Sequence, residues 1–133
     1  MKKYFSIIVF ALLIVLSPSC SAQTESESKG GNVDVSQAKE MIAENKELQI
    51  IDVRSPEEVN QGKIEGSVNI NIQDEDFKAQ LEKLDKDKSY LVYCHSGGRS
   101  ARAMKIMKEM GFDVVYNMTG GMSSWKKSKG EIK

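Results

Sequence analysis

Residues 89–100 read Ser89-Tyr90-Leu91-Val92-Tyr93-Cys94-His95-Ser96-Gly97-Gly98-Arg99-Ser100. Ser89 to Tyr93 is a short apolar run rich in β-branched and aromatic residues, which predicts a buried strand. Arg99 to Met110 predicts a helix, with Ala103, Met107 and Met110 on one face and Gly111 as its stop. Between them lies a tight glycine-rich loop that begins with a cysteine. Such a loop sets a thiol beneath backbone N–H groups at a helix N-terminus, a setting that favours anions. A thiolate is an anion, so the Cys94 pKa should fall and its nucleophilicity at neutral pH should rise.

The same alternation of strand and helix runs along the chain. Asp34 to Lys46 predicts a first helix, with Asp34 as cap, Gln37 three residues on, and Ala38, Met41 and Ile42 facing inward. Leu48 to Val53 predicts a strand, and Ser55-Pro56-Glu57-Glu58 opens a short helix with Ser55 as cap and Glu58 completing a capping box. Gly66 to Ile72 alternates like a strand. Asp76 to Leu84 is amphipathic, with Phe77, Leu81 and Leu84 on one face. Asp113 to Tyr116 predicts the last strand, and Thr119 to Trp125 a turn into a final helix. The expected fold is α/β: one domain over residues 32–133, its mostly parallel central sheet flanked by helices on both faces. Asp52 and Cys94 both fall at the carboxyl ends of strands, where open α/β sheets bind ligands, so they are expected to share one crevice.

The first 31 residues read differently. Lys2 and Lys3, the apolar run Tyr4 to Leu16 and the small residues that follow resemble a secretory signal over residues 1–19. Cys20 then resembles the acylated cysteine of an exported lipoprotein, although Ser17 stands where that pattern has an apolar residue. Cleavage after Ala22 is the competing reading. Residues 20–31 are polar, acidic and glycine-terminated, and predict a flexible tether. The expected location is the periplasm or cell envelope of a bacterium, with a lipid anchor as the only membrane contact.

The chain has a formal net charge of zero. Without residues 1–19 its side chains carry about −2. No basic stripe marks a nucleic-acid partner, and no heptad seam marks an oligomer, so a monomer is expected. With Cys20 acylated or removed, Cys94 is the only thiol. It can form no internal disulfide, and the glycine-rich setting reads as reactive rather than inert.

Four segments, in order across most of residues 32–128, resemble the rhodanese-homology family. They are Asp52-Val53-Arg54 with Glu57, Glu58 and Gly62 to Ser67; Asn69-Ile70; Cys94 to Ser100; and Gly120-Gly121 with Trp125. Lys63 stands where the family often has histidine. The resemblance implies a rhodanese-like fold and ping-pong sulfur transfer. Cys94 takes sulfur from a small anion such as thiosulfate, holds it as a persulfide, and yields it to cyanide, a thiol or a protein acceptor. It implies no metal and no organic cofactor. His95, Ser96, Gly97, Gly98, Arg99 and Ser100 become the substrate-binding loop. Glycines 97 and 98 are expected to let the backbone curl around sulfur, and Arg99 to supply a fixed charge or a bidentate anion contact. His95 is expected at the substrate rim.

Asp52 and Arg54 read as supporting residues, Asp52 bonding loop amides or pairing with Arg99 or Arg54. Arg102 is expected to solvate the helix, Trp125 to lie in the core, and Lys126 to Lys129 to be solvated. Four residues separate Cys94 from Arg99, whereas related phosphatases and arsenate reductases have five, a wider cradle for a phosphate-sized oxyanion. An alternative of another class is a sulfur-carrying or protein-binding module without turnover of its own.

Overall fold

The computed structural model describes residues 29–133. The expected signal, Cys20 and most of the tether lie outside the described residues. The elements are β1 (Lys29–Val33), α1 (Val35–Glu44), β2 (Gln49–Asp52), α2 (Pro56–Asn60), β3 (Ser67–Asn69), α3 (Phe77–Glu82), β4 (Ser89–Tyr93), α4 (Gly98–Glu109), β5 (Val114–Met118) and α5 (Gly121–Lys127). The five strands form one parallel sheet in the order β1-β5-β4-β2-β3. Phe77 and Leu81 of α3 pack with Ala103 and Met107 of α4 on one face. Val35 and Ala38 of α1 pack with Met122 and Trp125 of α5 on the other. Both capping boxes form: Asp34 with Gln37, and Ser55 with Glu58 behind Pro56.

β1 corrects the expected tether. Lys29, Gly30 and Gly31 belong to the sheet, pairing with Val114, Val115 and Tyr116. The segment shows no apolar alternation because its first three residues, a lysine and two glycines, bury no apolar side chain, and these are held by pairing with β5. A Cβ on Gly30 would come within 2.0 Å of the Val115 carbonyl oxygen, at φ +109°, so only glycine fits. β3 is also shorter than Gly66 to Ile72. After Asn69 the chain crosses the end of β2, with Ile70 and Ile72 donating to the Asp52 and Val53 carbonyls at 2.9 and 3.1 Å.

The twofold side-chain period sorts the ends of β2 and β4. Val92 and Cys94 face the α4 side, with Ile51 and Val53. Leu91 and Tyr93 face the α1/α5 side, with Ile50. Asp52 meets Tyr93 there, its carboxylate accepting from the Tyr93 hydroxyl at 2.7 Å. Asp52 and Cys94 therefore end adjacent strands but point to opposite faces, which corrects the expected shared crevice.

Asp52, fully buried, also accepts from Arg54: from Nε at 2.9 Å, from Nη2 at 2.6 Å and from the backbone N–H at 3.0 Å. Burial works against the Arg54 cation, yet hydrogen bonding to Asp52 and its charge lift the pKa above the ordinary arginine value. The guanidinium spends its other N–H groups on the Glu58 and Gly62 carbonyls at 3.3 and 2.9 Å. Asn69 Nδ2 bonds the Asp52 and Arg54 carbonyls, both at 2.9 Å. The Tyr93 hydroxyl accepts from the Ile64 N–H at 3.1 Å and meets Ser67 Oγ at 3.1 Å. Burial, opposed by Ser67 and reinforced by Asp52, pushes the Tyr93 pKa up to about 12, so the phenol stays a proton donor.

Tyr93→Phe keeps the ring and removes the hydroxyl, leaving the Ile64 N–H and an Asp52 oxygen short of a partner. The expected loss is about 1–3 kcal/mol, read as a lower urea midpoint at unchanged slope. An unchanged midpoint would show the network to be energetically idle.

Candidate active site

Cys94 stands at the end of β4 and is 1% exposed. Its Sγ accepts from the Gly97 N–H at 3.1 Å, the Ser100 N–H at 3.4 Å and the Ser100 hydroxyl at 3.3 Å. Gly97 caps α4 at φ +105°, a conformation that costs an L-residue strain. Gly98 has no such constraint. A Cβ there would meet nothing within 4 Å, so the conformational requirement expected of both glycines falls on Gly97 alone. Burial would push the Cys94 thiol up. The Ser100 hydroxyl and the N–H groups of Ser100, Gly97 and Ser96 outweigh it and hold the pKa below the ordinary thiol value.

The loop is aimed from behind by α5. Met122 N–H donates to the Cys94 carbonyl at 2.8 Å, and Ser123 N–H to the His95 carbonyl at 3.0 Å. A trans peptide plane points its N–H opposite its C=O. Anchoring those two carbonyls on α5 therefore turns the His95 and Ser96 amides away from it. The approach is close: a Cβ on Gly121 would come within 2.4 Å of the Cys94 carbonyl oxygen. Gly120 and Gly121, at φ +76° and +53°, make the turn that permits it.

Arg99 does not stand free as an anion clamp. Its guanidinium forks onto Glu58 of α2, at 2.8 Å from Nη1 to Oε2 and 2.7 Å from Nη2 to Oε1. The expected bidentate contact exists, but its carboxylate is the protein's own. Asp52 pairs with the Arg54 side chain and accepts from the Arg54 loop amide, as expected of it, but does not meet Arg99. His95, Ser96 and Arg102 are exposed, and the His95 imidazole has no hydrogen-bond partner among the described residues. Ser100, with no exposed surface, is part of the sulfur cradle rather than helix packing. Trp125 lies in the core, as its spacing predicts.

Four contributors escaped the sequence. Glu58 is legible as a capping-box residue, but nothing local shows that it reaches Arg99. Tyr93 reads only as a strand residue. Met122 and Ser123 act through backbone N–H groups, which leave no side-chain signal. The Gly120-Gly121 pair was visible, and its role follows from the contact it allows.

The Ser100 hydroxyl has one proton and two acceptors, Cys94 Sγ at 3.3 Å and the Gly97 carbonyl at 3.2 Å. If the proton goes to sulfur, Ser100→Ala raises the Cys94 pKa, and alkylation by iodoacetamide reaches half-maximal rate at higher pH. An unmoved profile would assign the proton to Gly97. Glu58 offers a second pH test. The Arg99 hydrogen bonds hold its carboxyl down at about 2 against an ordinary 4.5, in spite of partial burial. A depressed folded-state pKa gives stability that is complete above 4.5 and is lost as pH falls toward 2. Both side chains are about a third exposed, so solvent screens the pair. Wild type should lose slightly more stability than Glu58→Gln across that window in urea titrations; parallel losses would show that the pair contributes nothing.

The family model described as a rhodanese-like domain matches residues 34–128. YtwF of Bacillus subtilis, provisionally named a sulfurtransferase, is 44% identical over 88 residues, covering 66% of this chain and 82% of that protein. Thiosulfate sulfurtransferase GlpE of Shewanella oneidensis is 36% identical over 84 residues, covering 63% and 81%. Among solved structures, a rhodanese-related protein from Thermoplasma volcanium aligns with a TM-score of 0.68 at 30% identity, covering 77% of this chain and 96% of that one.

Proposed function

The chain belongs to the rhodanese-like domain family, and from that premise we propose that it moves sulfane sulfur from thiosulfate to a thiophilic acceptor through a persulfide on Cys94. The observation that carries this reading is the Cys94 sulfur, held by the Gly97 and Ser100 N–H groups and the Ser100 hydroxyl with its pKa lowered. In the first half-reaction the Cys94 thiolate attacks the outer sulfur of thiosulfate. The Cys94 S–S bond forms, the sulfur–sulfur bond of the donor breaks, and sulfite leaves with its electron pair. In the second, cyanide or a thiolate attacks the outer persulfide sulfur. Thiocyanate or a new persulfide leaves, and the Cys94 thiolate returns. No base is needed once the thiol is ionised.

The sulfur stays anionic through both steps. The first amides of α4 have no intrahelical acceptor, so they are free to stabilise it and the departing sulfite as fixed dipoles. Arg99, tied to Glu58, stiffens the loop and adds positive field rather than gripping the donor. The cradle spans four residues between Cys94 and Arg99, which suits one sulfur better than a phosphate. Export belongs to the same proposal, with residues 1–19 as signal and Cys20 as the acylated first residue.

The purified protein incubated with thiosulfate should gain the mass of one sulfur atom on Cys94 and lose it to cyanide, with release of thiocyanate. Cys94→Ser should keep the fold and reduce transfer by more than about a thousandfold. A sulfur adduct that forms once and does not turn over with cyanide or thiols would favour the carrier module. Absence of any adduct on folded protein with a titratable thiol would overturn the thiosulfate reading.

A further inference from the structure

The sheet face opposite Cys94 carries a cleft of about 420 Å³ between α1, α5, the Ile64–Glu65 turn and the C-terminal tail. That volume lies in the range of small-molecule sites, which typically span about 300–1,000 Å³. Ile42, Ile64 and Trp125 give it an apolar lining, and Lys39, Lys46 and Lys129 stand around it. None of the lining residues belongs to the Cys94 loop.

The charge balance of the rim favours an anion. Glu65 is already paired with Lys133, which leaves Glu131 as the one acidic lining residue without an ion pair among the described residues, against three lysines. Lys39 is held in place before any ligand arrives. Its Nζ lies 5.4 Å from the centre of the Trp125 ring and donates to the Ser128 carbonyl at 2.9 Å. An ammonium has further N–H donors to offer a carboxylate. The tail that closes one side is itself built in: Trp125 Nε1 donates to the Glu131 carbonyl at 2.9 Å, and a Cβ on Gly130 would strike the indole at 2.2 Å.

We propose that this cleft binds a free amphipathic carboxylate, its apolar body along Ile42 and Ile64 and its head between Lys39, Lys46 and Lys129. Thiosulfate does not fit the description, since it has no apolar body to cover that lining. The site is distinct from the sulfur cradle and does not depend on the chemistry assigned to Cys94.

Trp125 is the only tryptophan in the chain, so its emission reports the cleft without a label. Decanoate, titrated below its micelle concentration into detergent-free protein, should change Trp125 emission saturably. Decanol and the Lys39→Gln variant should each bind about tenfold more weakly, the loss of one charge-assisted contact. Ile42→Glu, which sets a carboxylate in the cleft while leaving Lys39 intact, should abolish the response. Both variants should keep wild-type circular dichroism and wild-type alkylation of Cys94. No saturable change with decanoate would overturn the proposal, as would equal affinity for decanol. So would a Trp125 response to anionic phosphatidylglycerol vesicles alone, because that would assign the face to a lipid surface.

Discussion

The buried ion pair between Asp52 and Arg54 is the constraint from which the active end of the sheet is built. Two charges taken out of water are costly unless every donor and acceptor finds a partner. Here they do. Asp52 accepts from Arg54 and Tyr93. Arg54 uses two further N–H groups to hold the Glu58 carbonyl of α2 and the Gly62 carbonyl just beyond its C-terminus. The result is positional. α2 has no buried residue of its own, so its seat comes from this network rather than from a hydrophobic stripe. Because α2 is fixed, Glu58 stands where Arg99 can fork onto it, and the far end of the sulfur loop is tied to the near end of the sheet. Removing one member would strand a buried charge, so such a network holds its geometry more strictly than an apolar contact would.

The loop around Cys94 resolves a conflict between burial and charge. A thiol this enclosed would ordinarily resist ionisation. The Ser100 hydroxyl and the N–H groups of Ser100, Gly97 and Ser96 reverse the sign. Those donors are backbone groups and one hydroxyl, none of which carries a charge that a substrate anion would have to displace. The orientation of the loop is imposed by α5, whose first amides hold the Cys94 and His95 carbonyls. Gly121 allows the two backbones to meet at a distance no side chain would permit. The Arg99 guanidinium is committed to a carboxylate, and its charge still acts on Cys94 beside the fixed dipoles of the loop.

The parallel sheet separates two environments by the alternation of its side chains. Cys94 and its core partners lie on the α4 side. The Asp52 network and the Lys39–Trp125 contact lie on the other. The two environments are nevertheless joined, by the α5 amides that hold the Cys94 and His95 carbonyls and by the shared backbone of β4.

Much of this was legible in residue order. The α/β class, both capping boxes, the five helices and the strand–loop–helix around Cys94 follow from local periodicity and turn chemistry, which act over a few residues. The opposite facing of Asp52 and Cys94 was also latent there, since their strands alternate with a period of two, but it needed the register between β2 and β4 to be read. What residue order could not decide were the contacts made across long separations. Glu58 meets Arg99 across 41 residues. Lys29 to Gly31 join the sheet although nothing in their composition reads as strand. The α5 amides grip the loop through backbone atoms that every residue shares. Local sequence determines which segments become helix or strand, because propensity and capping are short-range. Which carboxylate an arginine meets, and which amides face a sulfur, is settled only when the sheet brings distant segments within hydrogen-bond reach.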